Sequence, residues 1–221
     1  MLQANNLTKV FRRGRNEISA VQNVSLILQP GSVTAVIGRS GSGKSTLLNL
    51  LAGLLTPTSG TVIFHDRDLY QLSDTELSRI RNQKISVIPQ GQTALPSLTV
   101  LQNILLPATL FPGEPDRIDR AQELLELVGI SQLADAKPAT LSGGEIRRMA
   151  IARAMFQQPE VILADEPTSD LDKENSDVVI SLLRKAADRG VAVLLVTHEF
   201  ETLQNADTIY RMESGVLQAY K

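Results

Sequence analysis

The stretch Gly38-Arg39-Ser40-Gly41-Ser42-Gly43-Lys44-Ser45-Thr46 has the residue types of a loop that wraps a chain of phosphates. Gly38, four free positions, then Gly43, Lys44 and Ser45 is the spacing of a P-loop. Glycines let backbone N–H groups approach an anion with no Cβ in the way. Lys44 supplies a mobile charge for the β and γ phosphates of a nucleoside triphosphate, and the Ser45 hydroxyl is suited to ligate Mg²⁺. A second group of residues complements this loop. Asp165 and Glu166 are adjacent carboxylates. Asp165 is the candidate Mg²⁺ partner, and Glu166 the candidate base for a water that attacks the γ-phosphate. The alternative is that both are loop-capping acids ahead of Pro167.

Both groups need elements to hold them. Val33 to Ile37 is a β-branched apolar run that predicts a buried strand entering the loop. Leu47, Leu48, Leu50, Leu51 and Leu54 predict one side of a helix leaving it, with Gly53 near its end. A helix N-terminus at this point adds its positive dipole end to the phosphate site. Val161 to Ala164 predicts a second buried strand, so the acidic pair emerges at the C-terminal edge of a sheet, where open parallel sheets bind ligands.

Elsewhere, Leu2–Phe11 and Val24–Gln29 read as antiparallel opening strands, with RRGRNEIS between them as a charged loop. Thr61–Phe64 and Ile85–Ile88 are further strand candidates. From Gln90 to about Leu141 helical periodicity takes over, interrupted by Pro96, Pro107, Pro112, Pro115 and Pro138. The clearest helix there carries Ile118, Ala121, Leu124, Leu125 and Val128 and stops at Gly129. Helices from about Gly144 to Phe156 and Lys173 to Arg189 then alternate with strands Val161–Ala164 and Val191–Val196. The end reads as a hairpin turning at Ser214-Gly215. Alternating strands and helices predict an α/β fold with a mostly parallel sheet.

The chain has 221 residues and a formal net charge of -2, so no basic surplus argues for a nucleic-acid partner. It contains no cysteine, which excludes disulfides and Cys-based zinc sites and fits a reducing compartment. Its two histidines, His65 and His198, lack ligand spacing, and His65 reads as a surface turn residue. The N-terminus lacks the layout of a signal peptide, and the longest apolar run, Leu47–Leu55, is far short of the roughly 20 residues a spanning helix needs.

Leu141-Ser142-Gly143-Gly144-Glu145 (LSGGE) stands ahead of the acidic strand. Together with the P-loop it makes the chain resemble the nucleotide-binding subunit of an ATP-binding-cassette (ABC) transporter. The resemblance covers nearly the whole sequence. It implies a P-loop NTPase (RecA-like) core, an N-terminal antiparallel β subdomain and an inserted α-helical subdomain. Residues 1–221 would form one domain, with 90–146 as the insert and 1–89 plus 147–221 as the remainder. ATP and Mg²⁺ are the implied ligands, with Ser45, Gln90 and Asp165 toward the metal. Lys44, Gln90, Glu166 and His198 are the implied catalytic set. Phe11 resembles the aromatic that stacks on adenine; the plainer reading is a core residue at a strand end. Gln90 matches the residue that senses Mg²⁺ and water, and His198 the switch histidine at the γ-phosphate.

In such proteins the nucleotide lies between the P-loop of one copy, Gly38 to Thr46, and the LSGGE of a second copy. Ser142, Gly143, Gly144, Glu145 and Asp172 are therefore assigned to the nucleotide through a head-to-tail dimer. Ser169–Asp172 resembles the loop that crosses the interface. The resemblance also implies a membrane permease docked on the segment after Gln90, and a peripheral position on the cytoplasmic face of the inner membrane. The RRGRNEIS, RNQKISVIPQ and LADEPTSDLD strings look most like the branch for lipoprotein release, macrolide or peptide export and cell division. Either substrate export or regulation of a division complex remains open, and a soluble ribosome- or DNA-acting member is disfavoured by the single cassette. The chain departs from the usual pattern at Ile146, Arg39 and Asp170, and in the run GQTALPSLTV after Gln90, where an aromatic-containing run is more frequent and an unusual partner contact is expected. Arg39 of one copy is expected either to pair with Asp170 of the other across the interface or to remain, like Asp170, separately solvated.

Overall fold

The computed structural model of the protein describes residues 1–14, 16–91, 93–110 and 117–220. Arg15, Gln92, Pro112 and Pro115, all placed above in loops or connecting segments, lie outside them. Ten strands and six α-helices follow in order: β1 (Leu2–Arg13), β2 (Asn16–Leu28), β3 (Val33–Ile37), α1 (Lys44–Leu51), β4 (Ser59–Phe64), β5 (Arg67–Asp68), α2 (Asp74–Gln83) and β6 (Ile85–Ile88) lead. Then come α3 (Val100–Thr109), α4 (Ile118–Leu127), α5 (Gly143–Met155), β7 (Val161–Asp165), α6 (Lys173–Asp188), β8 (Ala192–Thr197), β9 (Thr208–Glu213) and β10 (Val216–Ala219).

The strands form two sheets. An antiparallel sheet runs β2-β1-β4-β5, and a second runs β10-β9-β3-β8-β7-β6. In the second, β9, β3, β8, β7 and β6 are mutually parallel, and only β10 runs against its neighbour. Every residue of β3, β7 and β8 is buried, as their unbroken apolar runs require once both faces are covered. The period-two alternation of strands divides these residues between two cores. Ile162, Ala164, Val193 and Leu195 face a layer formed by α3 to α6. Val161, Leu163, Leu194 and Val196 face α1 and the antiparallel sheet. The α/β class, the mostly parallel sheet, the antiparallel opening and the helical stretch after Gln90 are as expected.

Four details differ from the sequence reading. RRGRNEIS is not a loop: Phe11 pairs with Ile18, Arg12 with Glu17 and Arg13 with Asn16, so both strands run nearly to the turn. Charged side chains concealed this, because an exposed hairpin end needs only cross-strand partners, and Arg12 Nε donates to Glu17 at 3.0 Å. Helix α2 was missed altogether. It buries no residue fully and packs only Leu77 and Ile80 against the core, too short an apolar stripe to read as a helix, but Ser73 and Glu76 form a reciprocal capping box that starts it. Pro107 does not break the segment. It lies in the last turn of α3, which continues to Thr109. Leu54 was counted with the α1 leucines but lies beyond that helix and is exposed. Leu47, Leu48, Leu50 and Leu51 are all buried.

One polar clip joins the parallel sheet to its helical cover. Asp207, just before β9, accepts from the Val33 amide at 2.8 Å and from Arg184 of α6 at 2.7 Å. Its own amide donates to Val33 O at 2.8 Å. The Val33 amide, followed by the Arg184 guanidinium, holds the Asp207 carboxyl below the usual carboxylate range. A lowered folded-state pKa means that this stabilisation is complete above about pH 4 and is lost as pH falls through the folded value. Asp207→Ala is expected to lower the Tm at neutral pH, with the gap to the wild type closing below about pH 4. Thermal melts across that range check it, and a gap independent of pH contradicts the assignment.

Candidate active site

The P-loop leaves β3 at Ile37 and enters α1 at Lys44. Two of its glycines are demanded by packing. A Cβ on Gly43 would strike the carbonyl of Ala20 in β2, and one on Gly38 would strike the carbonyl of Met212 in β9. Gly43 also has φ of 107°, a conformation hostile to side chains. The loop is thus clamped between one strand of each sheet. Gly215 N donates to Ser42 O at 2.9 Å, which ties it to the β9–β10 turn as well. Lys44 is buried, and its ammonium donates to Gly38 O at 2.9 Å and Arg39 O at 3.0 Å, inside the arc of the loop.

Beside this loop, the C-terminal ends of β6, β7 and β8 deliver three side chains. Gln90 follows β6, Glu166 follows β7 and His198 follows β8. Gln90 Nε2 donates to Glu166 Oε2 at 2.8 Å, and His198 Nδ1 stands 3.2 Å from Glu166 Oε1. Glu166 adopts φ of 45°, unusual for a side-chain-bearing residue, and its amide donates to Val196 O at 2.8 Å. That conformation costs about 1 kcal/mol or more and directs the carboxylate toward the loop side of the sheet. One cleft of about 590 Å³ is lined by Arg39, Ser40, Gly41 and Gly43 to Thr46, by Ala20, and by Gln90, Glu166 and His198.

Asp165 is buried at the end of β7. Burial pushes its carboxyl pKa up, opposed by a hydrogen bond from Ser45; Glu166 adds to the rise and Lys44 opposes it. Its Oδ1 is buried without a hydrogen-bond partner. An orphaned carboxylate oxygen beside a serine hydroxyl suits a hard cation that takes one or two protein oxygens and completes its shell with phosphate and water. Among the described residues no group of three or more His, Asp or Glu side chains could form an all-protein metal cage. The residues present therefore fit Mg²⁺ held together with a phosphate chain.

LSGGE lies apart from this cleft. Ser142 caps α5, and Glu145 accepts from the Ser142 amide at 2.8 Å and from its hydroxyl at 2.9 Å, a reciprocal capping box. Ser142 and Gly143 are exposed, while Gly144 is packed so closely on Asn175 that a Cβ would overlap its side chain. Asp172 caps α6 by accepting from Asn175 N at 2.8 Å, and Asn175 Nδ2 donates to Asp172 at the same distance. Arg148 Nη1 donates to Asn175 Oδ1 at 2.7 Å. Ser142 to Glu145 and Asp172 therefore form a second cluster, and none of them lines the P-loop cleft.

The remaining candidates fall as follows. Phe11 is 40% exposed on β1, with the Lys9 ammonium 5.3 Å from its ring centre, so it is not a core residue; it does not line the cleft. His65 is an exposed turn residue with φ of 47°, in contact with Glu160. Arg39 and Asp170 are both exposed, and Asp170 lies within electrostatic range of Arg147 in the same chain. Ala20, Met212, Arg147 and Asn175 carry much of the site's geometry and were missed. Ala20 and Met212 contribute backbone carbonyls, for which no side-chain signal exists. Arg147 could have been noticed as a charge on the buried stretch of α5.

A family profile described as ABC transporter matches residues 21–169. The dimeric structure of MJ0796, a bacterial ABC transporter cassette, is similar at 35% identity and a TM-score of 0.92, covering 100% of this chain and 99% of that chain. A dimeric post-hydrolysis state of the ATP-binding cassette MJ0796, bound to ADP and Pi, is similar at 35% identity and a TM-score of 0.91, with coverage of 100% and 99%. With its fold, its P-loop and its LSGGE helix in the matched arrangement, the chain belongs to the ABC transporter family, as an ATP-binding cassette.

Proposed function

We propose that this protein is an ATP hydrolase in which two copies close around two ATP molecules and drive a separate membrane permease. The observation that carries this reading is the single cleft joining the P-loop to the Gln90–Glu166–His198 cluster, with LSGGE excluded from it. Such a site binds phosphates and can activate water, yet leaves an exposed anion-binding helix start for a nucleotide held by another copy. The related cassette bound to ADP and Pi is a dimer, which supports the same arrangement here.

In this mechanism the P-loop amides and Lys44 bind the β and γ phosphates, and Ser45 and Asp165 hold Mg²⁺. Bound Mg²⁺ supplies charge neutralisation at the phosphate oxygens. Glu166 accepts the proton of the attacking water as the new P–O bond forms and the bond to the β-phosphate oxygen breaks. Gln90 and His198 hold the Glu166 carboxylate from either side, and His198 also reaches toward the γ-phosphate. Phe11 stacks on adenine from the exposed face of β1. Ser142, Gly143, Gly144, Glu145 and Asp172 complete the site from the second copy. Glu145 and Asp172 act through the caps they form, because their carboxylates are already engaged by backbone amides.

We assign residues 90–146 to the inserted helical unit and the segment after Gln90 to the permease contact. The protein would sit on the cytoplasmic face of the inner membrane. Among the described residues no helix is long and apolar enough to cross a membrane, so on this reading the permease supplies the span. The sequence strings named above favour export or extraction of lipoprotein, peptide or drug-like substrates. Purification from membranes with crosslinking at the segment after Gln90 is expected to retain a permease. Recovery of a division complex instead would replace transport with regulation as the cassette's task.

Two measurements address the site itself. Glu166→Gln is expected to retain ATP binding and to lower kcat by on the order of 100-fold or more; near-normal turnover would remove Glu166 from the role of base. Arg39 and Asp170 are proposed to meet across the dimer. A double-mutant cycle with Arg39→Ala and Asp170→Ala should show coupling in ATP-driven dimerisation, and strict additivity sinks the contact.

A further inference from the structure

The helix that carries LSGGE also grips the segment that carries Gln90. Arg147, one turn into α5, is only 8% exposed, and its Nη1 donates to the Pro89 carbonyl at 3.1 Å. Two turns further on, Arg153 donates to Thr93 O at 2.9 Å and Thr93 Oγ1 at 2.6 Å. Gln90 is thus held on both sides by arginines of one helix.

Arg147 has a second neighbour. Burial pushes the pKa of its guanidinium down, opposed by the Asp170 carboxylate within electrostatic range. Asp170 belongs to the loop that begins at Glu166, and this loop is braced internally. Ser169 donates to Glu166 O through its amide at 3.2 Å and its hydroxyl at 3.0 Å, and Leu171 N donates to Thr168 O at 3.1 Å. A buried guanidinium therefore holds the backbone preceding Gln90 and has the charge of the Glu166 loop within electrostatic range. These two segments are the ones joined at the cleft by the hydrogen bond from Gln90 to Glu166.

We propose that Arg147 is a positioning residue for hydrolysis: it sets the register of Gln90 against Glu166 by holding the Pro89 carbonyl. This rests on the functional reading above, in which Gln90 and Glu166 act at the γ-phosphate. Arg147 does not line the cleft, so it governs the rate of the bound state and not nucleotide capture.

The test is a kinetic cycle on the full chain, with steady-state ATP hydrolysis measured for wild type, Arg147→Gln, Gln90→Ala and the double variant. Arg147→Gln is expected to lower kcat by about tenfold with KM for ATP within about twofold. On the Gln90→Ala background the same substitution should change kcat by less than about twofold, because the group it positions is gone. Arg147→Lys keeps the charge and one donor, and is expected to restore kcat to within about threefold of wild type. If Arg147→Gln fails to fold, the Lys variant enters the same cycle, with its smaller loss expected only when Gln90 is present. Unchanged kcat in Arg147→Gln, equal losses on both backgrounds, or a matching rise in KM overturns the proposal. If Gln90→Ala itself hydrolyses ATP at the wild-type rate, the failure belongs to the functional reading instead.

Discussion

The closeness of the phosphate loop to its neighbours constrains everything built around it. Gly38 lies against the Met212 carbonyl and Gly43 against the Ala20 carbonyl, so the loop is held at both ends while Gly41 between them faces open space. A loop held this way presents its amides in one arrangement, and binding an anion then requires little ordering. The clamp comes from two different sheets. The antiparallel sheet, which contributes no carboxylate or histidine to the cleft, thereby shapes the phosphate site through one strand.

Sheet order does the complementary task for the chemical groups. Gln90, Glu166 and His198 are far apart along the chain, but β6, β7 and β8 are neighbours, and all three run parallel. Parallel pairing places their C-terminal ends on one edge, beside the end of β3 where the P-loop begins. The apolar residues of these strands, sorted between two cores, keep that edge rigid. Asp165 is the charged exception to apolar burial in these strands. Its unsatisfied oxygen is a cost in the folded chain, of the kind that persists where a ligand later supplies the partner.

Helix α5 connects the cleft to the second anion-binding cluster. Its N-terminus is formed by Ser142 and Glu145, its flank is fastened to α6 through Arg148 and Asn175, and the buried Arg147 and half-buried Arg153 hold Pro89 and Thr93 on either side of Gln90. LSGGE and the grip on Pro89 therefore belong to one helix, within about one turn of each other. Asp172 caps α6 within the same network, so the loop from Glu166 to Asp172 has both ends fastened.

Much of this was legible in the residues. The buried strands announced themselves as β-branched runs, because burial on two faces leaves no place for polar side chains. The P-loop, the acidic pair and LSGGE were legible because phosphate binding restricts residue types at fixed spacing. The hairpin at RRGRNEIS and helix α2 were not, since exposed elements are selected by pairing and capping and not by apolar periodicity. Beyond local structure, the chain alone determined which groups could handle phosphate, metal and water. Only the tertiary structure decided which of them meet: it joined Gln90 and His198 to Glu166, set LSGGE outside the cleft, and placed Arg147 against the Pro89 carbonyl. The physical reason is that strand order and helix packing bring together residues distant in sequence, and the carbonyls of Ala20, Met212 and Pro89 act through backbone positions that no side-chain pattern encodes.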